Sequence, residues 1–159
     1  MSMDAESECA TSSIITGNDN DYRIFPSSRG FKIAALNVNN LLAHIDEIRI
    51  LLADCPLDVL AINETKLNGS NSDKEVKVPG YKIKRRDRLS DGGGGICFYI
   101  RTSLSYSIPP DLIIPNLENL CIKINKPRSA PLLFSLQPGT DLPIRELMFL
   151  IFSKIWLVS

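Results

Sequence analysis

Two short apolar runs bracket a stretch with helical periodicity, and this order constrains the fold more than any other feature of the chain. Residues 31–37 read Phe-Lys-Ile-Ala-Ala-Leu-Asn and residues 57–63 read Leu-Asp-Val-Leu-Ala-Ile-Asn. Each run is too short for a helix and too apolar for a half-solvated strand, so each reads as a strand covered on both faces. Between them, Leu41, Leu42, Ile45, Ile48, Leu51 and Leu52 recur at helical spacing. Asn39 or Asn40 stands where an N-cap belongs, and Pro56 lies just past the end of the pattern. Strand, helix and strand within about 30 residues form a β-α-β unit. Such a unit predicts two parallel neighbours joined by a right-handed crossover.

The rest of the chain adds strands rather than helices. Residues 65–80 form a loop rich in Asn, Ser, Lys and Asp, and Tyr81–Arg86 alternates as a half-exposed strand should. Gly92 to Gly95 turn the chain into a strongly apolar strand, Ile96–Arg101. Residues 119–124 and Leu132–Leu136 are further strands. The class is α/β with mixed sheets. At 159 residues the chain is one ordinary domain or part of a larger one.

Charge and cysteine content exclude several functions. Lys+Arg and Asp+Glu both number 18, so bulk charge does not mark a strongly basic nucleic-acid binder, although a local basic patch remains open. Residues 74–88 form such a patch, with seven basic residues against two acidic ones. It reads equally as a solvated loop and strand or as the border of a nucleic-acid face. Cys9, Cys55, Cys97 and Cys121 form no C-x-x-C pair, which argues against a structural zinc site. With no secretory signal, they read as reduced and mostly buried thiols. The single histidine, His44, lies in the helical stretch and is a poor candidate for a catalytic triad. Gly92 to Gly95 precede a strand and no Gly-Lys-Ser/Thr follows, so they read as a hairpin turn rather than a phosphate loop.

The two ends differ from the middle. Residues 1–29 are polar and mildly acidic, with no apolar run long enough for a signal peptide, and read as a disordered leader. Residues 147–158 are almost wholly apolar but too few for a membrane span of about 20 residues. An intracellular protein, nuclear or cytoplasmic, is the expectation.

Two strand ends carry the candidate chemistry. Asn37 ends the first strand and Glu64 follows the second, and parallel pairing brings them side by side at the carboxyl end of the sheet. Both are hard oxygen donors, suited to Mg²⁺ and poorly suited to zinc. A bound Mg²⁺ there would polarise a phosphate. On spacing alone, Asn at a strand end is more often a cap and Glu more often solvated.

Ordered blocks of sequence then carry a resemblance. Residues 33–41, Ile-Ala-Ala-Leu-Asn-Val-Asn-Asn-Leu, resemble the opening strand of the endonuclease/exonuclease/phosphatase superfamily, an apolar strand followed by Asn-Val-x-Gly-Leu. Residues 58–67, Asp-Val-Leu-Ala-Ile-Asn-Glu-Thr-Lys-Leu, resemble its second block. Gly80-Tyr81, Arg86-Asp87-Arg88 and the run from Gly93 to Arg101 resemble its third. The branch they most resemble is the apurinic-type endonuclease of non-LTR (LINE-type) retrotransposons, which accompanies a reverse transcriptase. The resemblance implies the N-terminal half of a four-layer α/β sandwich, spanning residues 30–136. It implies Mg²⁺-dependent hydrolysis of phosphodiesters, with DNA as partner. Asn37 and Glu64 would serve the metal, with Glu64 also catalytic, and Asn39 and Arg88 would face the substrate. Asn40 stands where the family usually has Gly or Ser.

The later blocks depart from the family. Leu132–Leu136 and the following Gln137-Pro138 stand where the family has a Tyr-x-Pro element, and no Tyr is present. No Gly-Asp-x-Asn or Ser-Asp-His element occurs in the 159 residues. Residues 137–159 read as an atypical tail produced by a frame break near Phe134. The general base belongs to the missing elements, so weak stability and negligible nuclease activity are expected of this chain by itself. Two functions stay open. One is a truncated, inactive retrotransposon endonuclease domain, with phosphatase-like substrates elsewhere in the superfamily. The other is a non-catalytic fragment that binds nucleic acid or protein.

Overall fold

The structure is a computed structural model that describes residues 30–88 and 92–137. The leader, and the tail beyond Gln137, lie outside the described residues. The elements are β1 (Ile33–Asn37), α1 (Leu41–Asp54), β2 (Val59–Asn63), β3 (Tyr81–Arg86), β4 (Ile96–Arg101), β5 (Ser105–Ser107), a 3-10 turn (Pro110–Leu112), β6 (Leu120–Asn125) and β7 (Leu132–Leu136).

The β-α-β unit forms as the sequence requires. β1 and β2 are parallel, with Asn37 opposite Asn63, and α1 makes the crossover between them. Asn40 is the N-cap, its side chain accepting from Ala43 N–H at 3.4 Å. The helix closes where the Cys55 N–H donates to the Leu51 carbonyl at 2.8 Å, just before Pro56. Leu41, Ile45, Ile48 and Leu52 are its buried residues, one stripe at helical spacing. Burying each such side chain is worth roughly 1.5–3 kcal/mol relative to exposure.

The sheets are two. The first has the order β1-β2-β4-β3 and is mixed, because β4 runs antiparallel to both β2 and β3. The second, β5-β6-β7, is wholly antiparallel. β5 is too short, at three residues, to show an alternating pattern, and its pairing with β6 is what makes it a strand.

One sheet buries two cores. On one face, Leu60, Ile62, Cys97 and Tyr99 pack against the α1 stripe and against Leu67, Val76 and Val78 of the long loop. On the other, Val59, Ala61, Ile96, Phe98 and Ile100 pack against Leu120, Ile122, Ile124 and Phe134 of the second sheet. That is why all of β2 is buried and why its sequence does not alternate. The layers are helix and loop, mixed sheet, then antiparallel sheet, as in one half of an α/β sandwich. Two phenols, Tyr99 buried and Tyr81 half-buried, fasten the long loop and the connection from α1 to β2: Tyr99 donates to the Val76 carbonyl and Tyr81 to the Leu57 carbonyl, each at 2.7 Å. Phe31 stacks on Phe134 at 5.9 Å between ring centroids, tying the start of the first sheet to the last strand of the second.

Cys97 and Cys121 are buried, and Cys55 is partly buried. Among the described residues, no helix is long and apolar enough to cross a membrane.

Candidate functional site

β1 and β2 end level with one another, so the segments that leave them start side by side. Three residues there are left-handed: Asn39 at φ 52°, Glu64 at 56° and Lys66 at 54°. Asn tolerates that region, but for Glu and Lys it costs of order 1–3 kcal/mol each. Backbone bonds hold the strained turn. Thr65 N–H donates to Gly95 O and Lys66 N–H to Gly94 O, both at 3.0 Å, and Leu41 N–H donates to Thr65 O at 2.9 Å. The turn is thus wedged between the start of α1 and the glycine run.

The glycine run grips two carboxylates. Gly94 N–H donates to Glu64 Oε2 at 2.7 Å, and Gly95 N–H donates to Glu118 Oε2 at 2.9 Å. Side chains cannot replace these glycines. A Cβ on Gly94, at φ 97°, would lie 2.6 Å from Glu118 Oε2, and one on Gly95, at φ 80°, would strike Thr65 Oγ1. Arg88 closes the mouth, its Nη1 donating to Gly92 O at 2.7 Å.

The four residues singled out from sequence take distinct positions. Asn37 and Glu64 end adjacent parallel strands. Asn37 Oδ1 accepts from Asn39 N–H at 3.2 Å, and Asn39 is exposed. The Arg88 guanidinium is committed at one nitrogen to the glycine loop. Glu64 Oε1 accepts no hydrogen bond from the described residues, so one oxygen of the carboxylate is left for an outside partner while the other is anchored. His44 lies on α1, its Nδ1 2.9 Å from Glu47 Oε2 one turn away. Cys97 sits in the core with its thiol pushed well above the usual range by burial, which leaves it unreactive.

Sequence reasoning missed Glu118, Thr65 and the bonding role of Gly94 and Gly95. The glycines do join the antiparallel pair β3 and β4, as a hairpin reading requires. The bonds from Gly94 to Glu64 and from Gly95 to Glu118 are a second role, and four consecutive glycines are more than a turn needs. Nothing around Glu118 in sequence marks it out.

Donor chemistry at the site fits a hard divalent cation. Asn37 offers an amide oxygen and Glu64 a carboxylate oxygen. Among the described residues there is no group of three or more His, Cys, Asp or Glu side chains that would cage a metal. One carboxylate, one neutral oxygen and several waters is the coordination Mg²⁺ commonly accepts.

Comparison with known proteins bears on the fold. The chain is similar to the AP endonuclease LMAP from Leishmania major, with a TM-score of 0.58 at 20% identity over 78% of this chain and 45% of that one. It is also similar to the endonuclease domain of TRAS1, a telomere-specific non-LTR retrotransposon, with a TM-score of 0.50 at 18% identity over 72% of this chain and 48% of that one. The chain therefore spans less than half the length of either structure. No curated protein matches it. The sequence profile of the Endonuclease/Exonuclease/phosphatase family matches residues 34–148, which include both strand ends and the glycine run. With more than half of its length matched and the sandwich layers in place, the chain belongs to the Endonuclease/Exonuclease/phosphatase family.

Proposed function

We propose that this chain carries the first half of a phosphodiester-cleaving site, in which Asn37 and Glu64 hold a divalent cation, Mg²⁺ by donor type, against a DNA phosphate. The observation that carries the reading is the state of the Glu64 carboxylate. Oε2 is fixed by the Gly94 amide and Oε1 accepts no hydrogen bond from the described residues, at the end of a strand whose parallel neighbour ends in Asn37. The cation, when bound, supplies positive charge to a phosphate oxygen. The chain's own residues orient the site: Asn39 stands exposed beside Asn37, and Arg88 holds the rim of the glycine loop. DNA as substrate draws on the AP endonuclease and retrotransposon endonuclease that share the fold.

Activity by itself is a separate matter. The 159 residues contain neither a Ser-Asp-His nor a Gly-Asp-x-Asn element, the elements to which the family resemblance assigns the activation of water and the transition-state contacts. We propose that it binds metal and DNA and does not cleave. The test is Mn²⁺ titration alongside a nicking assay on supercoiled DNA, each with the native protein and Glu64→Gln. Metal binding that weakens about tenfold or more in the variant, with no nicking by either protein, supports the reading. Mg²⁺-dependent nicking lost in Glu64→Ala would show that the chain is an active nuclease.

A non-catalytic nucleic-acid module is the second reading, and one observation favours it. Lys82, Lys84 and Arg86 alternate along the edge strand β3, while the nearby Asp73 and Asp87 both pair with Arg85, at 3.1 and 3.4 Å. The stripe is therefore left with net positive charge. Salt-sensitive DNA affinity that survives Glu64→Gln but falls in a Lys82→Ala/Lys84→Ala variant favours this module.

A further inference from the structure

The peptide segment Gly94-Gly95 is pinned on four sides. Its two carbonyls accept from Lys66 and Thr65 N–H, and its two amides donate to Glu64 and Glu118. Three of these bonds come from the contiguous residues 64–66, which form one turn. Among the described residues, the bond to Glu118 is the one that reaches the segment from elsewhere. Glu118 lies two residues before β6, so its carboxylate anchors the loop to the second sheet. The fit is close, since a Cβ on Gly94 would lie 2.6 Å from that carboxylate.

We infer that Glu118 is a positioning residue for Glu64: by holding Gly95 N–H it fixes the Gly94-Gly95 peptide, and through the shared Gly94 Cα it steadies the adjoining Gly93-Gly94 peptide, whose N–H donates to Glu64 Oε2. Without that hold, the loop and the left-handed turn at Glu64 are free to shift together relative to the second sheet. Glu64 Oε1 then no longer points in one direction. Outer partners of this kind typically change metal affinity 10–100-fold when removed. The inference rests on the cation reading given above.

The test uses the full chain with Mn²⁺ as probe, and the ¹H–¹⁵N resonance of Gly94 as a direct report of its bond to Glu64. Glu118→Ala is expected to move the Gly94 amide resonance and to weaken Mn²⁺ binding about tenfold or more. Glu118→Gln, which keeps an acceptor oxygen, is expected to restore both. If Glu118→Ala does not fold, Glu118→Asp, one methylene short of Gly95, stands in for it with the same expectation. A purely structural role would lower the melting temperature and leave the Gly94 resonance and the metal affinity of the folded variant unchanged, and that result overturns the inference. Glu64→Gln separates the two claims. If it leaves Mn²⁺ affinity intact, the cation reading fails while the Gly94 resonance still decides the role of Glu118.

Discussion

Gly94 N–H and Glu64 Oε2 meet at 2.7 Å, joining the entry of β4 to the exit of β2. Beside it, Gly95 N–H meets Glu118 at 2.9 Å. Two adjacent peptide amides thus hold two carboxylates from distant parts of the chain, and a strained left-handed turn at residues 64–66 closes against the same peptides.

Because Gly95 is left-handed and its Cβ position is filled by the Thr65 hydroxyl, Gly95→Ala should destabilise the fold by about 1–3 kcal/mol. Gly69→Ala, at a position with open space, should stay within about 0.5 kcal/mol of the native protein. Urea unfolding of both variants measures the contrast, and equal midpoints would contradict the packing described.

Tyr99→Phe removes the donor to the Val76 carbonyl inside the core. The expected loss is about 1–3 kcal/mol, because a buried acceptor is left without its partner. Hydrogen exchange should show faster opening of the loop between β2 and β3 than of β4.

Stability should fall in alkali through Cys97. Burial raises its thiol in the folded state, so above roughly pH 8.5 the unfolded chain releases a proton that the folded chain retains. The unfolded state then binds fewer protons, and the slope of unfolding free energy against pH is negative, approaching about 1.4 kcal/mol per unit. This stabilisation is whole below the unfolded thiol's pKa and is lost as pH rises above it. Cys97→Ala should flatten the curve between about pH 9 and 10. A thiol reagent should label Cys97 only on unfolding.

The second sheet leaves apolar surface open. Ile113, Ile114 and Leu133 are exposed, and Ile114 and Leu133 border a cavity of about 430 Å³ beside Phe134 and Ala35. The protein should bind the fluorescent probe ANS under native conditions. Ile114→Lys should reduce that signal and raise solubility, whereas Leu42→Lys, on the far side of α1, should not.

The order of elements was legible because it rests on local chemistry. Helical spacing from Leu41 to Leu52, the cap at Asn40 and the apolar runs at both strands left little choice but a β-α-β unit. Tyr81–Arg86, Ile96–Arg101 and Leu132–Leu136 form strands over the very residues their patterns mark. The same unit placed Asn37 and Glu64 at neighbouring strand ends before any coordinates. What the sequence alone could not decide is how the glycine run and Glu118 meet that pair. β5 and the contact of Gly95 with Glu118 depend on pairing between segments far apart in the chain, and no local period encodes such pairing. The left-handed backbone at Glu64 has the same origin. Its local preference is against that conformation, and tertiary bonds from Gly94, Gly95 and Leu41 to residues 64–66 offset the cost. The sequence by itself determined that Asn37 and Glu64 stand at neighbouring strand ends, because local periodicity encodes the β-α-β unit; the tertiary structure decided that the Gly94 amide holds Oε2 of Glu64, because that bond joins residues 30 positions apart.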